Sequence, residues 1–341
     1  MTQPDRRRGR HTIQIAAGVG ISAILVWLAF RGRDYSAIWA HVRTVDMAPL
    51  LIAVTLATIP FLLRVPRWQL LLDSGGGAPV PFRPLWQSIA IGFAANNTLP
   101  ARAGEILRIG AASRLTAIPF GTVLSSVAIE RVIDALTVLA LLGAGLITAH
   151  LPAAVRIGNG PPISVVAMRT GIVCVAVLIM ALLAAWRRTT TLAIVERVLP
   201  TGRIATWIVG FADNMLRGLG AMRDPRRAVP VVIWSLVIWS VNASAFYFAF
   251  RAFHFSVPIS GAFILQGALM IVIAVPSTPG YVGVFEVVIP SVLLLYGIDK
   301  DAALACAVVY HVTTFVPITF LGAFEAIRTG IRLRAPTTAS T

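Results

Sequence analysis

The feature that most constrains this chain is its series of apolar runs of membrane-crossing length, two of them broken by proline, glycine and asparagine. Ile13 to Phe30, Pro49 to Leu63 and Ser164 to Trp186 approach or exceed the ~18–20 residues a helix needs to cross a bilayer. Six segments read as full crossings: about 13–30, 48–70, 119–149, 165–186, 229–250 and 302–327. Residues 84–113 and 259–297 are apolar but interrupted, the first by Asn96, Asn97, Pro100 and Gly104, the second by Pro276, Pro279, Gly280 and Gly283. Broken helices at membrane depth persist only where protein or a polar cavity satisfies the freed backbone groups, so both segments read as re-entrant helical hairpins. The predicted fold class is all-α: a polytopic transmembrane helical bundle of about six crossings and two re-entrant hairpins.

Composition agrees. Charged residues make up 13 % of the 341, against roughly 25 % in an ordinary soluble domain, and mean hydropathy is +0.82. Spans consume nearly the whole chain, which leaves no room for an independent catalytic domain. The reading is therefore one integral membrane domain over 1–341. Residues 1–45 form a tail, first span and outer loop, and 46–150 a first repeat. A linker span and basic segment occupy 151–227, a second repeat 228–328, and a short tail 329–341. Cys174 and Cys306 lie inside apolar runs and read as small hydrophobes. Arg6, Arg7, Arg8 and Arg10 before an apolar stretch resemble a signal peptide, but no small-residue cleavage site follows, so an uncleaved first span is expected.

The net charge of +15 is carried almost wholly by arginine, since Lys300 is the only lysine. Positive residues are retained on the cytoplasmic side of short loops. With both termini in the cytoplasm and each broken segment returning to its side of entry, 21 arginines fall inside and seven basic residues outside, with Arg131 left in the membrane. This expectation makes the chain a multi-pass protein of the cytoplasmic membrane. It also makes the two repeats inverted. Pro49 and Pro230, Glu105 and Glu286, and Glu130 and His311 are each 181 residues apart. Inverted repeats with paired broken helices are the usual build of transporters with a site near the midplane.

Three places carry chemistry. In NNTLPARAGEILR (Asn96 to Arg108), Arg102, Glu105 and Arg108 fall on one stripe of a helix, with a local positive excess that suits a phosphate. The same stripe also suits an interfacial turn whose arginines touch headgroups non-specifically. In PSTPGYVGVFE, the backbone around Pro279, Gly280 and Gly283 and the hydroxyls of Ser277, Thr278 and Tyr281 could receive an anionic group. Glu286 sits where a carboxylate favours a helix N-terminus, or acts only as a cap. In IERVID, Glu130 and Asp134 share a face and Arg131 can pair with Asp134. Such groups inside a span are costly and must face protein, a partner or water. Arg102 or Arg108 would be their counter-ion, and a register-fixing ion-pair cluster is the alternative. His311 could titrate near neutral pH or simply be hydrogen-bonded.

Metal spacing, a Walker loop, a strand-associated GxGxxG and a nucleophile elbow are all missing, so no metal or cofactor is expected. The basic stretch from Arg187 to Arg227 is interleaved with apolar residues in a pattern suited to anionic lipid, not to nucleic acid.

LPARAGEILR, the internal IERVID and the later PSTPGYVGVFE together resemble the family of lysylphosphatidylglycerol synthase transmembrane regions, over about Asp46 to Arg328. These flippase-like domains also occur in multidomain aminoacyl-phospholipid synthases and beside some glycosyltransferases. The resemblance implies a domain that moves or presents a polar lipid. By motif position it places Arg102, Glu105, Arg108, Glu130, Arg131, Pro279, Gly280, Gly283 and Glu286 around a central site. The synthases append a soluble transferase domain, whereas this sequence runs to a short tail at Thr341, so their activity is not expected here. The leading expectation is a non-enzymatic flippase for a polar or anionic lipid. The alternatives are a membrane-embedded headgroup transferase with Glu130 or His311 as base, or a membrane partner of a separate synthase or glycosyltransferase. Oligomeric state is not legible.

Overall fold

The computed structural model describes residue 20 and residues 23–72, 79–99, 103–149, 225–274 and 279–331, with scattered positions between 161 and 202. Regular structure among these residues is helical, and no strand is present among them. A helical turn over 23–30 precedes α1 (Tyr35–Arg43). Then come α2 (Met47–Leu72), α3 (Phe82–Thr98), α4 (Ala103–Thr116) and α5 (Phe120–Ile147). After the basic segment follow α6 (Pro225–Ala252), α7 (Ile259–Ala274), a 3₁₀ turn (Pro279–Tyr281), α8 (Val284–Leu293) and α9 (Lys300–Thr329).

Length and polarity sort these helices. Three stretches, Met47–Leu72, Ala228–Ala252 and Lys300–Thr329, are long and apolar enough to cross a membrane. Helix α5 is 28 residues long and differs from them by carrying Glu130, Arg131 and Asp134 in mid-helix. The broken segments fold as two helix pairs: α3 with α4 (17 and 14 residues), and α7 with α8 (16 and 10 residues). Each arm falls short of the ~20 residues of a full crossing. Outward-facing side chains are apolar. Phe320, Phe324 and Ile327, at helical spacing on α9, are 75 %, 60 % and 83 % exposed. Water would penalise such a face, and hydrocarbon does not.

The order long helix, short pair, long helix occurs twice, over α2–α5 and over α6–α9. Contacts follow the same exchange: α2 packs along α6, α3 against α9, and α7 against α5. Each short pair therefore leans on the last long helix of the other half. Small residues permit the close approach, as in membrane helix pairs generally. A Cβ at Gly322 of α9 would lie 2.1 Å from the Ala90 carbonyl oxygen of α3. One at Gly145 of α5 would lie 3.0 Å from the Ser260 carbonyl oxygen of α7. Within the first pair, a Cβ at Gly104 would lie 2.0 Å from the Gly92 carbonyl oxygen. The larger apolar core, with Phe246, Phe250, Leu265, Ile289 and Leu293, belongs mainly to the second half. A smaller core around Trp68, Leu85, Ile89, Ile109 and Val123 belongs to the first.

The structure corrects one part of the charge reading. Arg64, Arg67 and Arg108, three of the 21 arginines assigned above to the cytoplasmic side, are 6 %, 0 % and 1 % exposed and lie inside helices α2 and α4. Both arginines of α2 fall within the expected span 48–70, and their side chains turn into the protein. The count without these three is 18 against seven, so its sign is unchanged.

Candidate functional site

Glu130 and Asp134, one turn apart on α5, are 0 % and 2 % exposed, and every charge they meet is an arginine. Arg108 of α4 grips Glu130 with both terminal nitrogens, donating at 2.9 and 2.8 Å. Arg64 of α2 donates to Glu130 at 3.3 Å and to Asp134 at 3.2 Å. Arg67 donates to Asp134, stands 3.2 Å from Glu130, and donates at 3.0 Å to Ser235 Oγ of α6. Arg131 donates to Glu130 and approaches Asp134 at 3.3 Å. Trp239 of α6 completes the shell, its indole N–H donating to Asp134 at 2.8 Å. Bidentate guanidinium–carboxylate geometry is the strongest neutralising contact available to a buried acid.

Aromatic faces carry the remaining positive charge. The guanidinium of Arg108 lies 4.0 Å from the Trp68 ring centre, and that of Arg64 lies 5.5 and 5.3 Å from Phe93 and Trp239. Such cation–π contacts gain strength in a desolvated setting. The cluster opens only at one edge. There Arg131 reaches Glu105 at 3.6 Å, with their side chains 35 % and 27 % exposed. Four guanidinium groups thus face three carboxylates, Glu105, Glu130 and Asp134, leaving one positive charge in excess. Among the described residues two enclosed acceptors lack a hydrogen-bond partner, Glu105 Oε2 at this edge and Asn96 Oδ1, which faces Gly104 within the α3–α4 pair.

A second polar group occupies the equivalent place in the second half. Glu286, in the first turn of α8, accepts the Gly283 N–H at 2.7 Å through Oε2 and meets His311 Nδ1 of α9 at 2.7 Å through Oε1. His311 Nε2 lies 2.8 Å from the Gly280 carbonyl oxygen. Its ring stacks on Phe285 at 4.4 Å between centres, and Phe315 stands edge-on at 6.0 Å. Glu105 and Glu286 are each the third residue of the second arm of a pair, and each contacts a base midway along the next long helix. The two breaks meet at the centre. A Cβ at Gly280 would lie 3.3 Å from the Asn97 carbonyl oxygen, and the Asn97 amide donates to Thr319 of α9 at 2.7 Å.

The residues singled out from sequence are distributed as follows. Glu105, Arg108, Glu130, Arg131 and Asp134 form one cluster, while Gly280, Gly283, Glu286 and His311 form the other. Arg108 is committed to Glu130 and stands closed off inside, and the Gly283 N–H is already taken by Glu286. Tyr281 packs against the larger core with φ +58°. Arg102, Ser277, Thr278 and the side chain of Pro279 lie outside the described residues, as do Cys174 and most of the Arg187–Arg227 stretch. Sequence reasoning missed Arg64, Arg67, Ser235 and Trp239. The signal for the two arginines was their i, i+3 spacing ahead of Trp68 and three leucines at 70–72. No group of three or more His, Cys, Asp or Glu able to hold a metal is found among the described residues.

Comparison with known proteins gives a consistent placement. The family model described as lysylphosphatidylglycerol synthase TM region matches residues 15–322. A UPF0104 membrane protein of Methanothermobacter thermautotrophicus is 26 % identical over 317 residues, which cover 89 % of this chain and 88 % of that one. A UPF0104 membrane protein of Pyrococcus horikoshii is 22 % identical over 336 residues, covering 92 % and 96 % respectively. A second such protein of M. thermautotrophicus is 24 % identical over 296 residues, covering 81 % and 82 %.

Proposed function

The chain belongs to the lysylphosphatidylglycerol synthase TM region family, an integral membrane family, and from that premise we propose that it binds the polar or anionic headgroup of a membrane lipid and carries it across the bilayer. The observation that carries this reading is the buried cluster: four arginines on three carboxylates, inside helices whose outer faces are apolar, beside two helix breaks that touch. Ionisable groups at membrane depth are expensive to hold there, and a pathway for a charged cargo gives them a use.

Access begins at the open edge. Arg131 supplies the excess cation for a phosphate, and Glu105 beside it supplies an acceptor for a hydroxyl or amine on the same headgroup. An apolar hollow of about 310 Å³, lined by Ile106, Leu107, Gly110 and Arg114 of α4, Phe120 at the start of α5 and Ile331 beyond α9, suits an acyl chain. Arg64, Arg67 and Arg108 are the reserve. As long as Glu130 and Asp134 occupy them, the inner site is shut, and a headgroup phosphate would have to compete for them stepwise. In this scheme the two halves are inverted in the membrane with both termini in the cytoplasm, and they rock about the touching breaks. A separate synthase or glycosyltransferase on the cytoplasmic side would supply or consume the lipid.

A headgroup transferase is less well supported. It needs a base open to an acceptor hydroxyl, yet Glu130 is wholly buried among arginines and both His311 nitrogens are engaged.

The test is translocation of a tail-labelled fluorescent phosphatidylglycerol in phosphatidylcholine proteoliposomes, read by dithionite quenching. Wild type should exceed empty vesicles, and Arg131→Ala should lose about tenfold or more, the worth of one charge-assisted contact of ~1.5–3 kcal/mol. Equal rates for wild type and empty vesicles would overturn the reading.

A further inference from the structure

His311 stands between two oxygen atoms. Nε2 is 2.8 Å from the Gly280 carbonyl, which can only accept, so Nε2 carries a hydrogen. Nδ1 is 2.7 Å from Glu286 Oε1. A neutral imidazole protonated on Nε2 would present a lone pair to that carboxylate oxygen, so a proton must lie between the two atoms. Whichever atom holds it, Glu286 and His311 together bear one proton more than a carboxylate beside a neutral imidazole. Both hydrogen bonds of the ring exist only with that proton in place.

We propose that the Glu286–His311 pair is a proton-binding site that couples lipid translocation to proton movement. When the proton leaves, the one remaining ring hydrogen can serve Glu286 or Gly280 but not both. The loser is the Gly280 turn, because the carboxylate is the stronger acceptor. Gly280 adopts φ +67° in the second break and lies against the Asn97 carbonyl of the first. Asn97 is itself tied to Thr319, two turns along α9 from His311. Proton release therefore frees the contact between the breaks from one side of the same helix that holds it from the other. This inference rests on the translocation reading and supplies its driving ion. No covalent step is involved: one proton binds and one leaves.

The surroundings isolate the pair. Among the described residues, no other side chain makes an ion pair with Glu286 or His311. The charged groups of α9 itself, Lys300, Asp301, Glu325 and Arg328, lie toward its two ends. Helix α7 carries none, and α8 has only Glu286. Arg83 is at the start of α3, and Arg64 and Arg67 are held in the first cluster. Arg226 and Arg251 are near the ends of α6. On α1 and its cap, Asp34, His41 and Arg43 meet the N-terminal part of α9, where Arg33 approaches Asp301 at 3.9 Å. The titratable neighbours are Tyr310, turned toward Phe246 and Phe285, and Tyr281 of the turn.

Two measurements test the proposal. Selective ¹⁵N labelling of the five histidines in detergent-solubilised full-length protein reads ring protonation directly. His311, assigned by His311→Gln, should move from a doubly protonated or proton-sharing signature to a single tautomer as pH rises between 4 and 10. In Glu286→Gln the amide N–H can donate to Nδ1 without an extra proton, so the His311 signal should stay neutral and unchanging. The second measurement imposes a one-unit pH difference across the same proteoliposomes. Wild-type translocation of the fluorescent phosphatidylglycerol should change by up to about tenfold, the factor one coupled proton supplies per pH unit, and Glu286→Gln should not respond to the gradient. A neutral, unchanging His311 in wild type, or a wild-type rate indifferent to the gradient, overturns the proton site and leaves the flippase reading intact. Wild type no faster than empty vesicles overturns the flippase reading and with it the coupling.

Discussion

Removing one negative charge from the first cluster is the sharpest perturbation the structure offers. Glu130→Gln keeps shape and volume but takes the carboxylate from four guanidinium groups, all within 3.3 Å and one of them bidentate. At an effective dielectric of about 20, two unit charges 3 Å apart interact by roughly 5 kcal/mol. Desolvation of Glu130 and repulsion from Asp134 offset much of the total, so the cost is not four times that figure. Breaking a buried pair from one side costs about 3–5 kcal/mol, because the partner charge is left uncompensated. The excess in the cluster would rise from one positive charge to two, counted over the same four arginines and the remaining Glu105 and Asp134. For a chain of this size that corresponds to a fall in melting temperature of order 10 °C, readable as loss of the monodisperse peak after heating in detergent. Arg108→Gln removes the bidentate contact but leaves Glu130 three arginines, so it should cost less. The double variant should recover at least half of the combined loss, since the excess returns to the single positive charge of the wild type. A single Glu130→Gln variant melting within about 2 °C of wild type would refute the reading of the cluster as a closed, mutually neutralising lock.

Two further perturbations probe the frame around the site. Gly322→Val places a side chain where a Cβ alone would lie 2.1 Å from the Ala90 carbonyl oxygen. It should separate α3 from α9 and cost more than the ~1–3 kcal/mol of ordinary overpacking, whereas Gly110→Ala, with open space around its Cβ, should melt like wild type in the same heating assay. At the N-terminal end of α9, Asp299 caps the helix by accepting the Asp301 and Ala302 N–H groups at 2.9 and 3.2 Å. Those backbone hydrogen bonds hold its carboxyl below the usual carboxylate range. A lowered folded-state pKa stabilises above the unfolded value and is lost as pH falls through the folded one. Asp299→Ala should therefore lose about 1 kcal/mol at neutral pH, with a difference from wild type that shrinks in acid below about pH 4.

Much of the site was legible because the membrane makes charges conspicuous. Glu130, Arg131 and Asp134 stand out in an apolar run, and charge balance offered Arg102 or Arg108 as their counter-ion, a place Arg108 takes. Arg64 and Arg67 were hidden by the opposite effect. They end an apolar run, as arginines near the water interface do, and it is Glu130, Asp134 and Ser235 on neighbouring helices that hold them inside. The matched spacing of Glu105 and Glu286 located both carboxylates, but not their partners. Which base on the next long helix each would meet depends on helix rotation, which apolar periodicity cannot fix when hydrocarbon surrounds the outer face. The Gly283 N–H is claimed locally, by Glu286 three residues on, in the capping role that the sequence also allowed.

The cross-packing of the halves has a consequence for how such a chain is made. Helix α3 places Gln87 and Asn97 where their partners are Glu325 and Thr319 of α9, and those residues leave the ribosome more than 220 positions later. At ~5–20 residues per second, the first hairpin waits some tens of seconds with polar amides unmet inside the bilayer. During that interval it must be sheltered by the insertion machinery, or parked at the water interface. Helix α9, made long after α3, is then the one that completes the first pair, so damage to α9 should be felt first at α3, in the other half of the chain.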